Sequence, residues 1–146
     1  MYFLITLIID QIIKYIVVTS NCNVKIIPNI FNLIYVKNTG GVYGIFEDNN
    51  FIFSIISGIV LIVLFIYSKN ITKDNKIKQV FWQLILAGGV SNLIDRIFRG
   101  FVVDFVQMLG FGVFNLADAC IVISAIIIIF LELKEIRSGS NRKSSN

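Results

Sequence analysis

Four long apolar runs govern what this chain can fold into. They cover residues 2–18, 51–67, 80–98 and 113–133. A helix needs about 17–25 apolar residues to cross the hydrocarbon core of a bilayer, and each run meets that length. In lipid a backbone must satisfy its own hydrogen bonds, which a helix does within one segment. The expectation is an all-α membrane protein with four transmembrane helices. Composition agrees, because 56% of the 146 residues are hydrophobic and 15% are charged, too few charges to cover a soluble domain of this size. The first run is not read as a cleaved leader, since Asp10 and Lys14 interrupt its core and no small-residue cleavage pattern follows.

Lysine and arginine in the loops set the orientation. Lys69, Lys73, Lys76 and Lys78 lie between the second and third runs, and Lys134, Arg137, Arg142 and Lys143 follow the fourth. Lys25, Lys37 and Arg99 are spread more thinly on the opposite side. Both termini are therefore expected in the cytoplasm. The net charge of +4 reads as topology, with no nucleic acid partner. Residues 1–137 form one membrane domain on this reading, and residues 138–146 a disordered cytoplasmic tail.

The outer loop 19–50 is too long for a plain connector. Apolar and polar residues alternate from Ile30 to Lys37, and Asn38-Thr39-Gly40-Gly41 is a turn signal. A small β-sheet is expected in this loop, on the membrane surface.

With the runs oriented, the buried polar residues sort by depth. Asp10 and Lys14, then Asn92, Asp95 and Arg96, then Asn115 and Asp118 all fall in the outer half of the bilayer, and Asp104 lies in the link between the last two runs. Glu132 alone sits near the inner face. Ionisable groups at membrane depth are costly and so are functional suspects. The chain has no histidine, which removes the commonest general base and metal ligand. Serine-protease and zinc-hydrolase chemistries lose weight, and neither metal nor cofactor is expected. Cys22 and Cys120 have no metal or redox spacing and read as two unpaired thiols.

Asp104 and Asp118 are the leading pair. Two carboxyls in a partly dry site do not both ionise easily, so one can take a proton from water while the other donates one. From spacing alone the same pair can bind a cation or relay protons, and these readings stay open at this point. Asp10 and Lys14 are four apart with the acid first, the favourable order for a helical ion pair. They are either a structural clasp or a support for the catalytic charges. Small residues at Ala87, Gly88 and Gly89 allow close helix approach. Asn92 shares a face with Asp95 and Arg96, either as an interhelical clamp or as a substrate contact, with Asp95 read as the charge partner of Arg96.

Taken together, the motifs resemble those of the bacterial lipoprotein signal peptidase (signal peptidase II) family. Asp10-Gln11-Ile12-Ile13-Lys14 resembles its D-Q-x-x-K box. Asn38-Thr39-Gly40-Gly41-Val42-Tyr43-Gly44-Ile45-Phe46 is similar to N-x-G-A-x-F-[SG]-x-[FL]. Gly89-Val90-Ser91-Asn92-Leu93-Ile94-Asp95-Arg96 with Gly100-Phe101-Val102-Val103-Asp104-Phe105 resembles G-x-x-N-x-x-D-R … G-x-V-x-D-F. Phe114-Asn115-Leu116-Ala117-Asp118 resembles F-N-x-A-D. The departure is Gly41-Val42-Tyr43, where the family has Ala-Ala-Phe. The resemblance implies an intramembrane aspartyl endopeptidase of the bacterial cytoplasmic membrane, with its site at the outer leaflet. It would remove signal peptides from diacylglyceryl-modified prolipoproteins by cutting before the lipidated cysteine. Asp104 and Asp118 would be the catalytic pair. Asn38, Gly40, Asn92, Arg96 and Asn115 would line or order the substrate site, supported by Asp10, Lys14 and Asp95. Implied partners are lipidated prolipoproteins, membrane lipids and globomycin-type inhibitors. The implied fold is four transmembrane helices with an outer β-cradle.

Overall fold

A computed structural model of the chain describes residues 1–40, 49–72 and 75–143, with side chains for these except at 69 and 138–143. Residues 41–46 of the second box, and Lys73 of the basic loop, lie outside the described residues. The elements in chain order are α1 (Tyr2–Ser20), β1 (Asn23–Ile27), β2 (Phe31–Asn38), α2 (Asn50–Thr72), α3 (Lys76–Arg99), β3 (Val102–Met108), β4 (Gly112–Phe114) and α4 (Leu116–Lys143).

The protein is mostly helical. Among the described residues, three helical stretches are long and apolar enough to cross a membrane: Tyr2–Ser20, Asn50–Ser68 and Leu116–Arg137. The fourth expected span, 80–98, lies inside α3. That helix has the length, 24 residues or about 36 Å, but it is less apolar than the others because it carries Gln79, Gln83, Ser91, Asn92, Asp95, Arg96 and Arg99. The last helix begins at Leu116, not at residue 113, because Val113 and Phe114 belong to β4. It extends through Lys143, into the stretch whose composition reads as an irregular tail.

Cross-helix bonds fix the relative directions. Gln83 Oε1 accepts from Phe3 N at 3.4 Å, and Lys14 Nζ donates to Asn92 Oδ1 at 2.9 Å, so α1 and α3 run the same way. Asn50 Nδ2 donates to the Arg96 carbonyl at 2.9 Å at the start of α2, so α2 opposes α3. Lys78 Nζ lies 2.7 Å from both Glu132 and Glu135, while Asn92 reaches Asp118, so α4 opposes α3 along its length. α3 packs against the other three helices and is the hub. Asn75 caps its start, accepting from Ile77 N and Lys78 N at 3.0 and 3.1 Å. Gly100 ends it at φ +81°, the left-handed conformation that glycine adopts without strain.

The usual burial pattern of a soluble bundle is reversed. Asp10, Lys14, Ser91 and Asp95 are fully buried, while Ile8, Ile12 and Ile16 of α1 and Ile126, Ile129 and Phe130 of α4 are each at least half exposed. A bilayer solvates apolar side chains, so polar ones must find partners inside. Gly88 makes this inner packing tight, because a Cβ there would lie 2.6 Å from the Ala117 carbonyl oxygen and 2.9 Å from Ile121.

The sheet is antiparallel, four-stranded and ordered β1-β2-β3-β4. Among the described residues, the first loop supplies β1 and β2. The link between α3 and α4 supplies β3 and β4, which corrects the expectation that the sheet belongs to the first loop. The link has strand character, with Val102, Val103, Phe105 and Val106 followed by a turn in which Gly110 and Gly112 take positive φ. Pairing with β2 satisfies the backbone of β3, which is buried from Val102 to Phe105. Val103 and Phe105 meet Val17 of α1 in a small core that seats the sheet on the bundle end. α1 and α3 finish at that end, and α2 and α4 begin there.

Candidate active site

Helix periodicity gathers the polar groups. On α1, Asp10, Lys14 and Val17 recur at spacings of four and three and are buried together. On α3 the same spacing brings Ser91 or Asn92, Asp95 and Arg99 to one side. Lys14 Nζ is the centre of the resulting network, at 2.9 Å from Asp10 Oδ2, from Asp95 Oδ2 and from Asn92 Oδ1. Arg99 adds a second cation to Asp95, and the Val103 N–H donates to Asp95 Oδ2 at 3.1 Å. Gln11 Nε2 joins the two helices through Ser91 Oγ at 2.9 Å and Asp95 Oδ1 at 3.2 Å. Three buried charges, Asp10, Lys14 and Asp95, and the half-buried Arg99 are thus paired and hydrogen-bonded, the condition under which burial is tolerated.

Asn92 passes from this network to the carboxyl pair. Its Oδ1 accepts from Lys14, and its Nδ2 donates to Asp118 Oδ1 at 2.7 Å. Asn115 stands at the N-cap of α4. Its Oδ1 accepts from the Asp118 N–H at 2.9 Å, and Asp118 Oδ2 accepts from the Asn115 N–H at 3.3 Å. This is a reciprocal capping box, written in sequence as Asn115-Leu116-Ala117-Asp118 before an apolar run. The Asn115 amide also donates outward, to Asp104 Oδ1 at 2.7 Å and Asn92 Oδ1 at 3.1 Å. One residue therefore contacts both Asp104 and Asp118.

Strand register brings the last group in. Val36 pairs with Asp104 and Asn38 with Val102, so Asn38 and Asp104 are diagonal neighbours. A register shift between Leu33 and Val36 sets this alignment. Asn38 Nδ2 donates to Asp104 Oδ2 at 2.9 Å, and its Oδ1 accepts from the Gly40 N–H at 3.2 Å, which fixes the amide's orientation. Asp104 is 2% exposed. Burial pushes its carboxyl up from the ordinary 3.8 to about 6. The Asn38 and Asn115 amides pull it down, and the neighbouring Asp118 charge adds to the rise.

The structure thus joins Asp10, Lys14, Asp95, Asn92, Asn115, Asp118, Asp104, Asn38 and Gly40 in one continuous set of bonds. Arg96 is placed differently from the sequence reading. Asp95 pairs with Lys14 and Arg99, and the Arg96 guanidinium lies over the Phe53 ring at 5.9 Å. Adjacent helix residues point about 100° apart, whereas Asp95 and Arg99 are four apart and share a face. Sequence reasoning missed three participants. Arg99 was visible as the i+4 partner of Asp95, and Gln11 as the second residue of its box. Ser91 carried no signal, and its role depends on which helix face it shares with α1.

Comparison with known proteins identifies the family. The profile of the family described as Signal peptidase (SPase) II matches residues 2–134. The chain is 38% identical over 133 residues to the lipoprotein signal peptidase of Fusobacterium nucleatum subsp. nucleatum, covering 87% of this chain and 81% of that protein. It is 37% identical over 139 residues to the lipoprotein signal peptidase of Staphylococcus haemolyticus, covering 90% and 88%. Among solved structures, it is similar to a bacterial membrane enzyme determined by the in meso method at 2.3 Å, with a TM-score of 0.80, 34% identity and coverage of 92% of this chain and 87% of that one. The resemblance drawn from the motifs is borne out over nearly the whole chain: it belongs to the signal peptidase II family, whose members named here are lipoprotein signal peptidases.

Proposed function

We propose that this protein is an intramembrane aspartyl endopeptidase that removes signal peptides from diacylglyceryl-modified prolipoproteins, cutting before the lipidated cysteine. Asp104 and Asp118 are its catalytic pair. The observation that carries this reading is Asn115, which holds Asp104 through its side-chain amide and Asp118 through its backbone N–H.

The ionised carboxyl takes a proton from water as the water oxygen attacks the scissile carbonyl carbon. The protonated carboxyl donates to the carbonyl oxygen, giving a neutral tetrahedral intermediate. On collapse the carboxylate that gave its proton takes one back from a hydroxyl of the intermediate, the C–N bond breaks, and the carboxyl that took the water proton passes it to the leaving amine. The acid near pH 6 at Asp104 suits this exchange, because a proton there is neither locked on nor absent near neutrality. Asn38, Asn92 and Asn115 orient the pair, with Asp10, Lys14 and Asp95 balancing charge behind them. Arg96, beside Phe53 at the start of α2, is available to the substrate.

We place all four long helices across the cytoplasmic membrane. α3 runs beside α4 from Lys78 at Glu132 to Asn92 at Asp118, which supports its crossing the same thickness as a recognised span. The clustered lysines and arginines put both termini in the cytoplasm and the sheet and carboxyl pair at the outer leaflet. A diacylglyceryl group anchored there presents the cleavage site in a fixed register, replacing a free search with an oriented encounter. Globomycin-type lipopeptides compete for the same place.

The test is turnover of a lipidated prolipoprotein by purified protein in proteoliposomes. Asp104→Asn and Asp118→Asn each lower kcat by about 100-fold or more while the protein stays folded in the membrane. The same substrate without its diacylglyceryl group is cut poorly by the wild type. Retained turnover in either variant removes the aspartyl pair from the reading.

A further inference from the structure

We propose that Ser91 is a positioning residue for the carboxyl pair: its hydroxyl orients Asp10 as the acceptor that holds the first turn of α4, and with it Asp118, against Asn92. This rests on the aspartyl peptidase reading above. The family box leaves the position open, since Ser91 falls on an x of G-x-x-N.

Serine inside a helix commonly bonds back to the carbonyl four residues earlier. Ser91 instead spends its proton across the bundle. It is fully buried, and its Oγ donates to Asp10 Oδ2 at 2.6 Å. The same oxygen accepts from Gln11 Nε2 at 2.9 Å. A hydroxyl has one proton, so a donor on its lone pair leaves that proton for Asp10. Asp10 also receives Lys14 Nζ on Oδ2, and its Oδ1 accepts from the Ala117 N–H at 2.9 Å. Ala117 is the second residue of α4, so its N–H has no partner within the helix. A buried carboxylate is well suited to that place, where the helix dipole favours negative charge.

Two rungs therefore join α3 to α4 side by side. One runs from Ser91 through Asp10 to Ala117, and the next directly from Asn92 Nδ2 to Asp118 Oδ1 at 2.7 Å. The first sets the rotation of both helices at the residues immediately preceding the second. Without the hydroxyl, Asp10 keeps only Lys14 on that oxygen and turns toward it, the α4 turn loses its fixed acceptor, and Asp118 shifts relative to Asp104.

The experiment compares wild type, Ser91→Ala and Ser91→Thr in proteoliposomes, with kcat and KM for a lipidated prolipoprotein and Tm for each. Ser91→Ala is expected to lower kcat about 10–100-fold, the range for a group that orients a functional ligand, with KM little changed and Tm within a few degrees. Ser91→Thr keeps the hydroxyl and recovers turnover. An Ala variant with wild-type kcat overturns the inference, as does parallel loss of kcat and Tm that Thr does not relieve. If the Ala variant does not fold, Ser91→Cys decides, because a thiol fills the space but donates only weakly: lower kcat at unchanged KM supports the inference, and wild-type kcat overturns it. Folded wild-type protein that fails to cleave fells the peptidase reading and this inference with it, whereas normal wild-type turnover beside an unaffected Ala variant fells the inference alone.

Discussion

Asn115 illustrates how much a single amide can order. Its planar group offers a donor pair and an acceptor in fixed directions. The acceptor closes the cap with the Asp118 N–H, and the donors meet Asp104 and Asn92. Among the described residues no cation pairs directly with either carboxyl, so a proton can reside on either. Asp104 shows the cost of this arrangement. Its folded carboxyl titrates near 6, above the ordinary 3.8, so the native state binds its proton more tightly than the unfolded chain does. The stabilisation from protonated Asp104 is full below about 4 and is lost as pH rises through about 6. The Tm of the wild type in detergent should fall across that window through this group, and Asp104→Asn should flatten the fall. An equal slope in both proteins would count against the shift.

At the level of elements, α3 bears most of the constraints. Its ends are fixed by Asn75 and Gly100, and its N-terminal end is clasped to α4 by Lys78 between Glu132 and Glu135. That pairing accounts for Glu132, which lies away from the site. Between the ends, Gly88 lets the α3 backbone approach Ala117 closely enough for Asp10, Asn92 and Asp118 to meet. Gly88→Ala puts a methyl against a backbone carbonyl, which cannot rotate away as a side chain can. We expect a loss of about 1–3 kcal/mol of stability, the usual cost of overpacking, together with a fall in kcat larger than that at an exposed glycine such as Gly58→Ala, where nothing lies within 4 Å. Thermal unfolding and turnover of the two variants, run in parallel, check this.

Seen whole, the molecule is a bundle with polar contents and an apolar exterior, closed at one end by a sheet drawn from two separate loops. Both loops leave from the same end because the helices alternate in direction. Asp104, on the sheet, and Asp118, on a helix, can meet only there. In the proposed orientation that end faces outward. Single cysteines at Leu109 and Ile136, placed in a protein whose Cys22 and Cys120 are replaced by serine, should therefore react differently with a membrane-impermeant maleimide in intact cells. Position 109 should label before permeabilisation and position 136 only after it. The reverse order would invert the topology.

Much of this protein follows from sequence because bilayer length, loop charge and helical spacing are local quantities. Four long helices, the pairing of Asp10 with Lys14, and the collection of acids toward one end all follow from counting residues. The motif residues identified the family for the same reason, since their spacing carries the chemistry. What waited for the tertiary structure depends on contacts between distant segments. The Val102–Met108 stretch is a strand because β2 lies beside it, and its valines alone do not distinguish a strand from a link. Asp95 chooses Lys14 and Arg99 over Arg96 because α1 stands on one face of α3 and α2 on another. Ser91 gains its partner from a helix 81 residues away, and no local pattern encodes that meeting.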